Sequence, residues 1–185
     1  PSPHEPGEKA QQESEIMRLI TDVSYKMSKF RKIFNDKIMK IGNDWWTSPT
    51  ESESGALVMV TGRRGVEQAR KSGKYKIRVE ITWKYPGNSA GMPDEPTSMV
   101  MEAVQEALTS TFDKDPVAIL TGIYTGDNER NWIFYTTSVH IFEKKINVAL
   151  APFDLLPITI YTENDPDWLE YDEMREASEI APADD

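Results

Sequence analysis

The side chains that could do chemistry in this 185-residue chain are few in kind. The chain contains no cysteine, which excludes disulfides, thiolate nucleophiles and thiolate metal sites. His4 lies in a tail rich in proline and glutamate, and His140 has no recognisable nucleophile or partner nearby in the sequence. Carboxylates are abundant, and ten of the 31 lie within residues 163–185, where their proximity reflects an acidic composition. We therefore predict no catalytic residue, no metal site and no cofactor.

A charged turn separates the apolar residues 117–124 from residues 131–136. It contains Asp127, Glu129 and Arg130. An exposed arginine beside carboxylates forms a weak surface ion pair, whereas a free guanidinium would bind a carboxylate or a phosphate. Asp127 and Arg130 are therefore candidate binding residues, with a simple ion pair as the alternative.

A basic surface is predicted on the strand of residues 74–85, whose apolar and polar positions alternate as in a strand with one buried face. The polar face contains Lys74, Lys76, Arg78 and Lys84. Cations near aromatic residues on a sheet are typical of RNA-recognition modules. The aromatic residues of this strand, however, alternate onto the opposite face. Nucleic-acid binding is therefore a possible function but not the favoured one.

Aromatic residues supply the remaining binding candidates. Trp132 and Tyr135 fall on opposite faces of one strand, so each belongs either to the core or to a binding platform. The Asp-Pro pair at Asp165 is typical of a helix start, and Trp168 and Tyr171 lie three residues apart on that helix. The structural interpretation is a helix cap with an aromatic clamp, and the functional one is a binding site.

The elements that position these residues follow from hydrophobic periodicity. A helix is predicted over residues 14–41, followed by a loop over residues 44–54. The later elements are a strand at 56–61, a strand at 74–85, a helix at 97–112, strands at 117–124 and 131–136, a helix at 139–150, a strand at 156–162 and a terminal helix at 165–176. This order predicts an α+β fold, a ferredoxin-like split β-α-β antiparallel sheet with two helices on one face. The long N-terminal helix and the short C-terminal helix are additions to it, and residues 56–61 form an edge strand.

One domain is predicted over residues 14–176, with the sheet and its helices within 55–162. Residues 1–13 are polar and are expected to be disordered, and residues 177–185 form an acidic tail. Residues 163–185 contain ten acidic side chains against one arginine, so they account for most of the net charge of −10. The acidic end either keeps the protein soluble or folds back over a basic surface and masks it.

Two segments resemble a known family. Residues 130–135, Arg-Asn-Trp-Ile-Phe-Tyr, follow the charged turn, and residues 165–171, Asp-Pro-Asp-Trp-Leu-Glu-Tyr, follow the last strand. Together they look like the bacterial family catalogued as domain of unknown function 695, with a resemblance from about residue 77 to residue 174. The resemblance implies a mixed α+β module without an assigned activity. The N-terminal helix and the acidic end fall outside it.

Function follows less directly than fold. Nothing in the sequence is typical of a reaction centre, so we favour a noncatalytic protein-interaction or regulatory module. Nucleic-acid binding through the basic face is the alternative, and a small-molecule enzyme ranks third. No apolar run approaches the roughly 18 residues of a membrane span. We expect no membrane partner and a cytoplasmic location. The sequence leaves open whether a leader peptide has been removed.

The helix of residues 16–41 is expected to pack on its own domain, or to contact a second copy or another protein. Its apolar residues follow an alternating spacing of four and three for nearly three heptads. If it dimerises the chain, light scattering should report a dimer that Met27→Glu with Phe34→Glu converts into a soluble monomer, because charges within the seam separate the helices. A monomeric wild type at high concentration would contradict the dimer.

Overall fold

The computed structural model describes residues 6–37 and 39–179 of the chain. The chain divides into two units, Pro1–Lys40 and Ile41–Asp185. The first contains helix α1, Pro6–Lys37. The second contains, in chain order, strands β1 (Asp44–Glu51) and β2 (Leu57–Arg64), helix α2 (Glu67–Lys71), strand β3 (Ile77–Lys84), helix α3 (Glu95–Lys114), strands β4 (Ala118–Gly126) and β5 (Glu129–Thr136), helix α4 (Val139–Leu150), strand β6 (Ile158–Asn164) and helix α5 (Leu169–Ser178).

Helix α1 begins earlier than periodicity predicts. Residues 6–13, expected to be disordered, are helical, because the segment is rich in the strong helix formers Glu, Lys, Ala and Gln. The rest of the predicted disorder, residues 1–5, and the tail residues 180–185 lie outside the described residues. The side chains of Ile16, Ile20 and Val23 are more than half exposed. What this helix packs against stays a prediction.

The second unit has an α+β fold, as the order of elements predicts. Its six strands form one sheet in the order β1-β2-β4-β5-β3-β6, and every neighbouring pair is antiparallel. Counting α1, the described residues form five helices. The strand predicted at 56–61 is not an edge strand, because β1 pairs with its outer side.

Strand β1 occupies residues for which the sequence predicts a loop. Its buried positions alternate, but Trp46 and Ser48 fill them, so the usual apolar signal is weak. Pro49 cannot donate to a strand ladder and is tolerated because β1 is an outer strand. Gly62 of β2 lies opposite Trp46, and a side chain at Gly62 would collide with the indole ring. The tryptophan and the glycine thus interlock the two strands.

Helices α3 and α4 cover one face of the sheet, here called the helix face. Their buried residues recur at spacings of three and four: Met101, Val104, Leu108 and Phe112 on α3, and Phe142 and Ile146 on α4. The rings of Phe112 and Phe142 stack with centroids 5.1 Å apart, and Phe134 of β5 packs against both. Helix α4 has the predicted bounds, and α3 extends two residues beyond each predicted end.

Helix α5 packs on the opposite face, here called the α5 face, against β1, β2 and β4. It begins at Leu169, four residues later than predicted, because residues 166–167 form a turn. Asp165 nevertheless caps the helix: its carboxylate accepts hydrogen bonds from the N–H groups of Leu169 at 2.9 Å and Glu170 at 3.3 Å. The hydroxyl of Tyr135 donates to the same carboxylate at 2.6 Å. The helix start is therefore tied to the centre of the sheet.

Trp168 and Tyr171 hold α5 on the sheet. The Trp168 ring stacks on Tyr135 with centroids 4.1 Å apart, and its indole N–H donates to the carbonyl oxygen of Tyr75 at 2.8 Å. The Tyr171 hydroxyl donates to the carbonyl oxygen of Arg63 at 2.7 Å. All three aromatic rings are buried. These contacts belong to the structural interpretation, the cap and the aromatic clamp.

Glu170 is the carboxylate of α5 that faces the sheet. The hydroxyl of Tyr124 donates to its Oε1 at 2.9 Å, but Oε2 is buried and has no hydrogen-bond partner within the described ranges. Burial raises the pKa of Glu170, and the hydrogen bond from Tyr124 and the charge of Arg78 oppose this shift only in part. The charged form of Glu170 therefore disfavours the folded state.

Replacing Glu170 by Gln should raise the free energy of unfolding at pH 7 by about 1 kcal/mol, because a neutral amide avoids the desolvation cost and supplies a donor. Since the folded-state pKa of Glu170 is raised, the contribution of this one group to stability is most favourable below the ordinary glutamate value of 4.5 and is lost as the pH rises. Urea titrations should therefore show that the difference in free energy of unfolding between Glu170→Gln and the wild type becomes smaller from pH 7 to pH 4.

The control for this comparison is Glu173→Gln, which removes an exposed carboxylate from the same helix. Its stability difference from the wild type should change little over the same pH range. If both variants showed the same pH dependence, helix charge rather than the burial of Glu170 would explain it.

Candidate functional site

A groove of about 420 Å³ lies on the helix face between α3 and the outer strands β1 and β2. A volume of this size accommodates a large side chain or a small molecule. Its lining residues are Asn43, Trp45, Thr61 and Arg63 on the outer strands and the loop before them, Gln105, Thr109 and Asp113 on α3, and Leu120 and Ile123 on β4. The groove therefore combines an apolar floor with polar and charged walls.

Arg63 is the most unusual residue of the groove. The residue is only 8% exposed, yet it forms no ion pair with a carboxylate among the described residues. The Nε–H donates to the carbonyl oxygen of Gly42 at 2.6 Å, and the structure gives Nη1 and Nη2 no partner in the described part of the chain. Burial lowers the pKa of Arg63, while the charge of Asp113 opposes this shift. A nearly buried cation without a direct counter-ion is costly to folding.

Trp45 and two glycines hold the arginine in place. The guanidinium carbon of Arg63 lies 5.2 Å from the centroid of the Trp45 ring, a cation–π contact. The indole N–H of Trp45 donates to Oδ1 of Asn43 at 3.1 Å. The backbones at Gly42 and Gly65 cross so closely that a Cβ on Gly42 would lie 2.8 Å from the Cα of Gly65. This crossing places the Gly42 carbonyl that receives the Arg63 side chain.

The wall opposite Arg63 is formed by one side of α3. Gln105, Thr109 and Asp113 follow one another at a spacing of four, so they line up along the helix. The Oε1 of Gln105 accepts a hydrogen bond from the buried indole of Trp132 at 3.0 Å, which fixes the amide. Asp113 is exposed. The groove therefore has a cationic wall and a polar, partly acidic one.

Arg130 lies on the same face of the sheet and does not form the surface ion pair that was the alternative to binding. Its Nε–H donates to Oγ1 of Thr125 at 2.9 Å, and its guanidinium carbon lies 5.9 Å from the ring centroid of Trp132. Burial lowers the pKa of Arg130. Asp127 instead accepts a hydrogen bond from Ser54 at 2.9 Å. Because alternate residues of a strand face opposite sides, Arg130 joins Trp132 on the helix face rather than Asp127 at the turn.

The remaining predicted candidates do not form one site. Trp132 is fully buried on the helix face, and Tyr135 is fully buried on the α5 face beneath Trp168. On the predicted basic face, Arg78 donates from Nε to Glu163 at 2.8 Å and from Nη1 to Glu80 at 2.7 Å. The other members of that face, Lys74, Lys76 and Lys84, are exposed. The central cation of the predicted basic face is therefore already paired with two carboxylates.

Fold and groove together define the class of this chain: an α+β domain with a six-stranded antiparallel sheet and a polar groove beside its outer strands. The chain belongs to DUF695, a family of unknown function, whose model matches residues 44–174. The match begins with β1, so it includes the strand pair that the resemblance starting at residue 77 leaves out. No curated protein and no solved structure matches the chain.

Neither a metal-binding cluster nor a membrane-spanning helix is found among the described residues. Within residues 6–37 and 39–179, no group of three or more His, Asp or Glu side chains is placed to hold a metal ion. None of the described helices is long and apolar enough to cross a membrane.

Sequence reasoning misses the groove because its residues come from segments that carry no motif. Arg63 counts only as one cation in a basic segment, and Trp45 belongs to a predicted loop. The available signal is alternation in β2, where Met59, Thr61 and Arg63 share a face. Arg63 follows the half-buried Met59 and Thr61 on this face, and an arginine in such a position indicates a cation at the edge of the core.

Arg63→Met should change the free energy of unfolding by no more than about 1 kcal/mol, since the lost hydrogen bond is offset by removing a buried charge that has no counter-ion. Arg78→Met is the matched comparison in the same sheet. It leaves Glu80 and Glu163 without their cation and should lower the free energy of unfolding by about 2 kcal/mol. Urea denaturation of both variants checks this order. An equal or larger loss for Arg63→Met would show that the fold requires the Arg63 charge.

Proposed function

We propose that this domain is a noncatalytic protein-interaction module, and that its groove receives an acidic side chain of the partner protein. The observation that carries the proposal is the Arg63 guanidinium, which is nearly buried, lies beside Trp45 and has no direct counter-ion among the described residues. A carboxylate accepts two parallel hydrogen bonds from a guanidinium, and the free Nη1 and Nη2 groups match that geometry.

The opposite wall of the groove favours a protein segment over a nucleic acid. Asp113 on α3 lines the same groove and its negative charge already acts on Arg63, so the groove favours at most one further negative charge. A polyphosphate backbone carries one charge per nucleotide, whereas a peptide can present one acid beside amide or basic groups. The groove therefore suits a segment of mixed polarity with one carboxylate placed against Arg63.

Nucleic-acid binding through the predicted basic face of residues 74–85, of which residues 77–84 form β3, stays the alternative function. The exposed Lys74, Lys76 and Lys84 favour it. The pairing of Arg78 with Glu80 and Glu163 weighs against it, because a phosphate would have to displace two carboxylates.

We also propose that β3, α3, β4, β5, α4 and β6 form a ferredoxin-like unit. The antiparallel order β4-β5-β3-β6 within the sheet and the position of α3 and α4 on one face support this assignment. Strands β1 and β2 are then an addition beside β4. The groove lies between this addition and α3, so a ferredoxin-like unit without β1 and β2 would lack it.

Selection of 12-residue peptides displayed on phage tests the function directly. Peptides that bind the wild type and are rejected by Arg63→Met should share an Asp or Glu at one position. In fluorescence anisotropy, the best synthetic peptide should bind Arg63→Met at least about tenfold more weakly, because the buried charge-assisted hydrogen bonds are lost. Replacing the Asp or Glu of this peptide by Asn or Gln should weaken its binding to the wild type by a similar factor. Combined with Arg63→Met, the peptide change should weaken binding no more than either change alone.

Lys71→Met is the matched control, since it removes an exposed cation outside the groove and should leave peptide affinity unchanged. Enriched peptides without an acid, equal binding by Arg63→Met, or no enrichment at all would each overturn the proposal. Mixed single-stranded RNA at low salt is the parallel probe. RNA binding that falls with Lys74→Met and Lys76→Met would support the alternative instead.

A further inference from the structure

The two edges of the sheet are protected differently. Strand β1 contains Pro49 and has Asp44 and Glu51 at its ends, and both a proline and charges discourage pairing with another strand. Strand β6 has the sequence Ile-Thr-Ile-Tyr-Thr-Glu-Asn, with no proline and no charge before Glu163. Only β3 pairs with it, so its outer row of backbone N–H and C=O groups has no strand partner in the described sheet.

Strand β6 also exposes an apolar side chain on each face. Ile160 is 46% exposed on the helix face, and Tyr161 is 55% exposed on the α5 face. Their neighbours Thr159 and Thr162 are exposed as well. A strand with high β-propensity, little charge and a free edge is a template for another strand.

We propose that a second copy of this chain pairs with β6 through its own β6, antiparallel and about a two-fold axis at Tyr161. In this register Tyr161 lies opposite the same residue of the other copy, Ile160 lies opposite Thr162, and Thr159 lies opposite Glu163. Directly opposed residues of an antiparallel pair lie on the same face, so the register keeps each copy's helices on the same side of the joined sheet.

The charge pattern of β6 fits a second copy. Glu163 is the one charged residue of the strand, and in this register it meets the neutral Thr159. The Glu163 carboxylate accepts a hydrogen bond from the Nε–H of Arg78 at 2.8 Å, and it shares this cation with Glu80, so it keeps part of its negative charge. The guanidinium of Arg78 also lies 5.8 Å from the centroid of the Tyr161 ring, which fixes the ring at the proposed axis. No like charges oppose each other anywhere in the pairing.

A single strand pair buries less surface than a standard stable interface, so the association should be weak and concentration-dependent. Sedimentation equilibrium of the full chain measures it. Thr159→Lys should strengthen the dimer about fivefold, because two new Lys–Glu163 pairs form across the axis, and Thr159→Glu should weaken it by a similar factor. The side chain of Thr159 is exposed, so both variants should keep the fold.

Tyr161 allows an exchange test at the axis. Tyr161→Lys and Tyr161→Glu should each weaken self-association about tenfold, since like charges face each other, and an equimolar mixture of the two should restore it. Thr50→Lys on β1 is the control and should have no effect. Association that responds equally to Thr159→Lys and Thr159→Glu, no recovery in the mixture, or a wild type that remains monomeric at the highest soluble concentration would overturn the proposal.

Discussion

The Asp165 carboxylate joins the last helix to the centre of the sheet. The carboxylate caps α5 and accepts a hydrogen bond from the Tyr135 hydroxyl, while the backbone N–H of Asp165 donates to the carbonyl oxygen of Lys76 at 2.8 Å. Burial opposes ionisation, but the hydrogen bonds from Tyr135 and the helix N–H groups hold the pKa of Asp165 below its usual value. Helix α5 then reaches the outer strands, where Tyr171 donates to the carbonyl of Arg63 and the indole N–H of Trp46 donates to Ser178 at 2.9 Å. The groove walls on β1 and β2 therefore depend on a carboxylate on the other face of the sheet.

The two faces of the sheet treat polar groups differently. On the α5 face, aromatic hydroxyls and indoles are paired with carbonyls and carboxylates, and Arg78 has two acidic partners. On the helix face, Arg63 and Arg130 have hydrogen bonds through Nε, but neither forms an ion pair within the described residues. A domain of this size tolerates few such charges, because its net stability is only about 5 to 15 kcal/mol. This contrast supports the proposal that the groove recognises a partner, while the polar contacts of the α5 face stabilise the fold.

Periodicity predicts those elements whose buried residues are apolar and regularly spaced. Strand β3 and helices α3 and α4 belong to this group. Val79, Ile81 and Trp83 alternate along β3, and the buried residues of α3 and α4 recur at spacings of three and four. Strand β1 does not, because an indole and a serine hydroxyl occupy its inner positions. Helix α5 begins later than predicted because Asp165 caps it from four residues before its first residue, Leu169. The sequence rules for helix caps place the capping residue directly before the helix, so they predict a start that is too early. The groove was beyond prediction because it requires knowing that β1 lies beside β2 and that α3 leaves their helix face open.

The tryptophans of this chain differ in their access to solvent. Four of the five are buried, and Trp45 is the half-buried one, beside Arg63 in the groove. An indole next to a guanidinium and open to water emits at longer wavelength and is more accessible to soluble quenchers than indoles packed in the core. The intrinsic fluorescence of the unlabelled protein thus contains a component that comes from the groove, so that a single residue can report optically whether the site is filled.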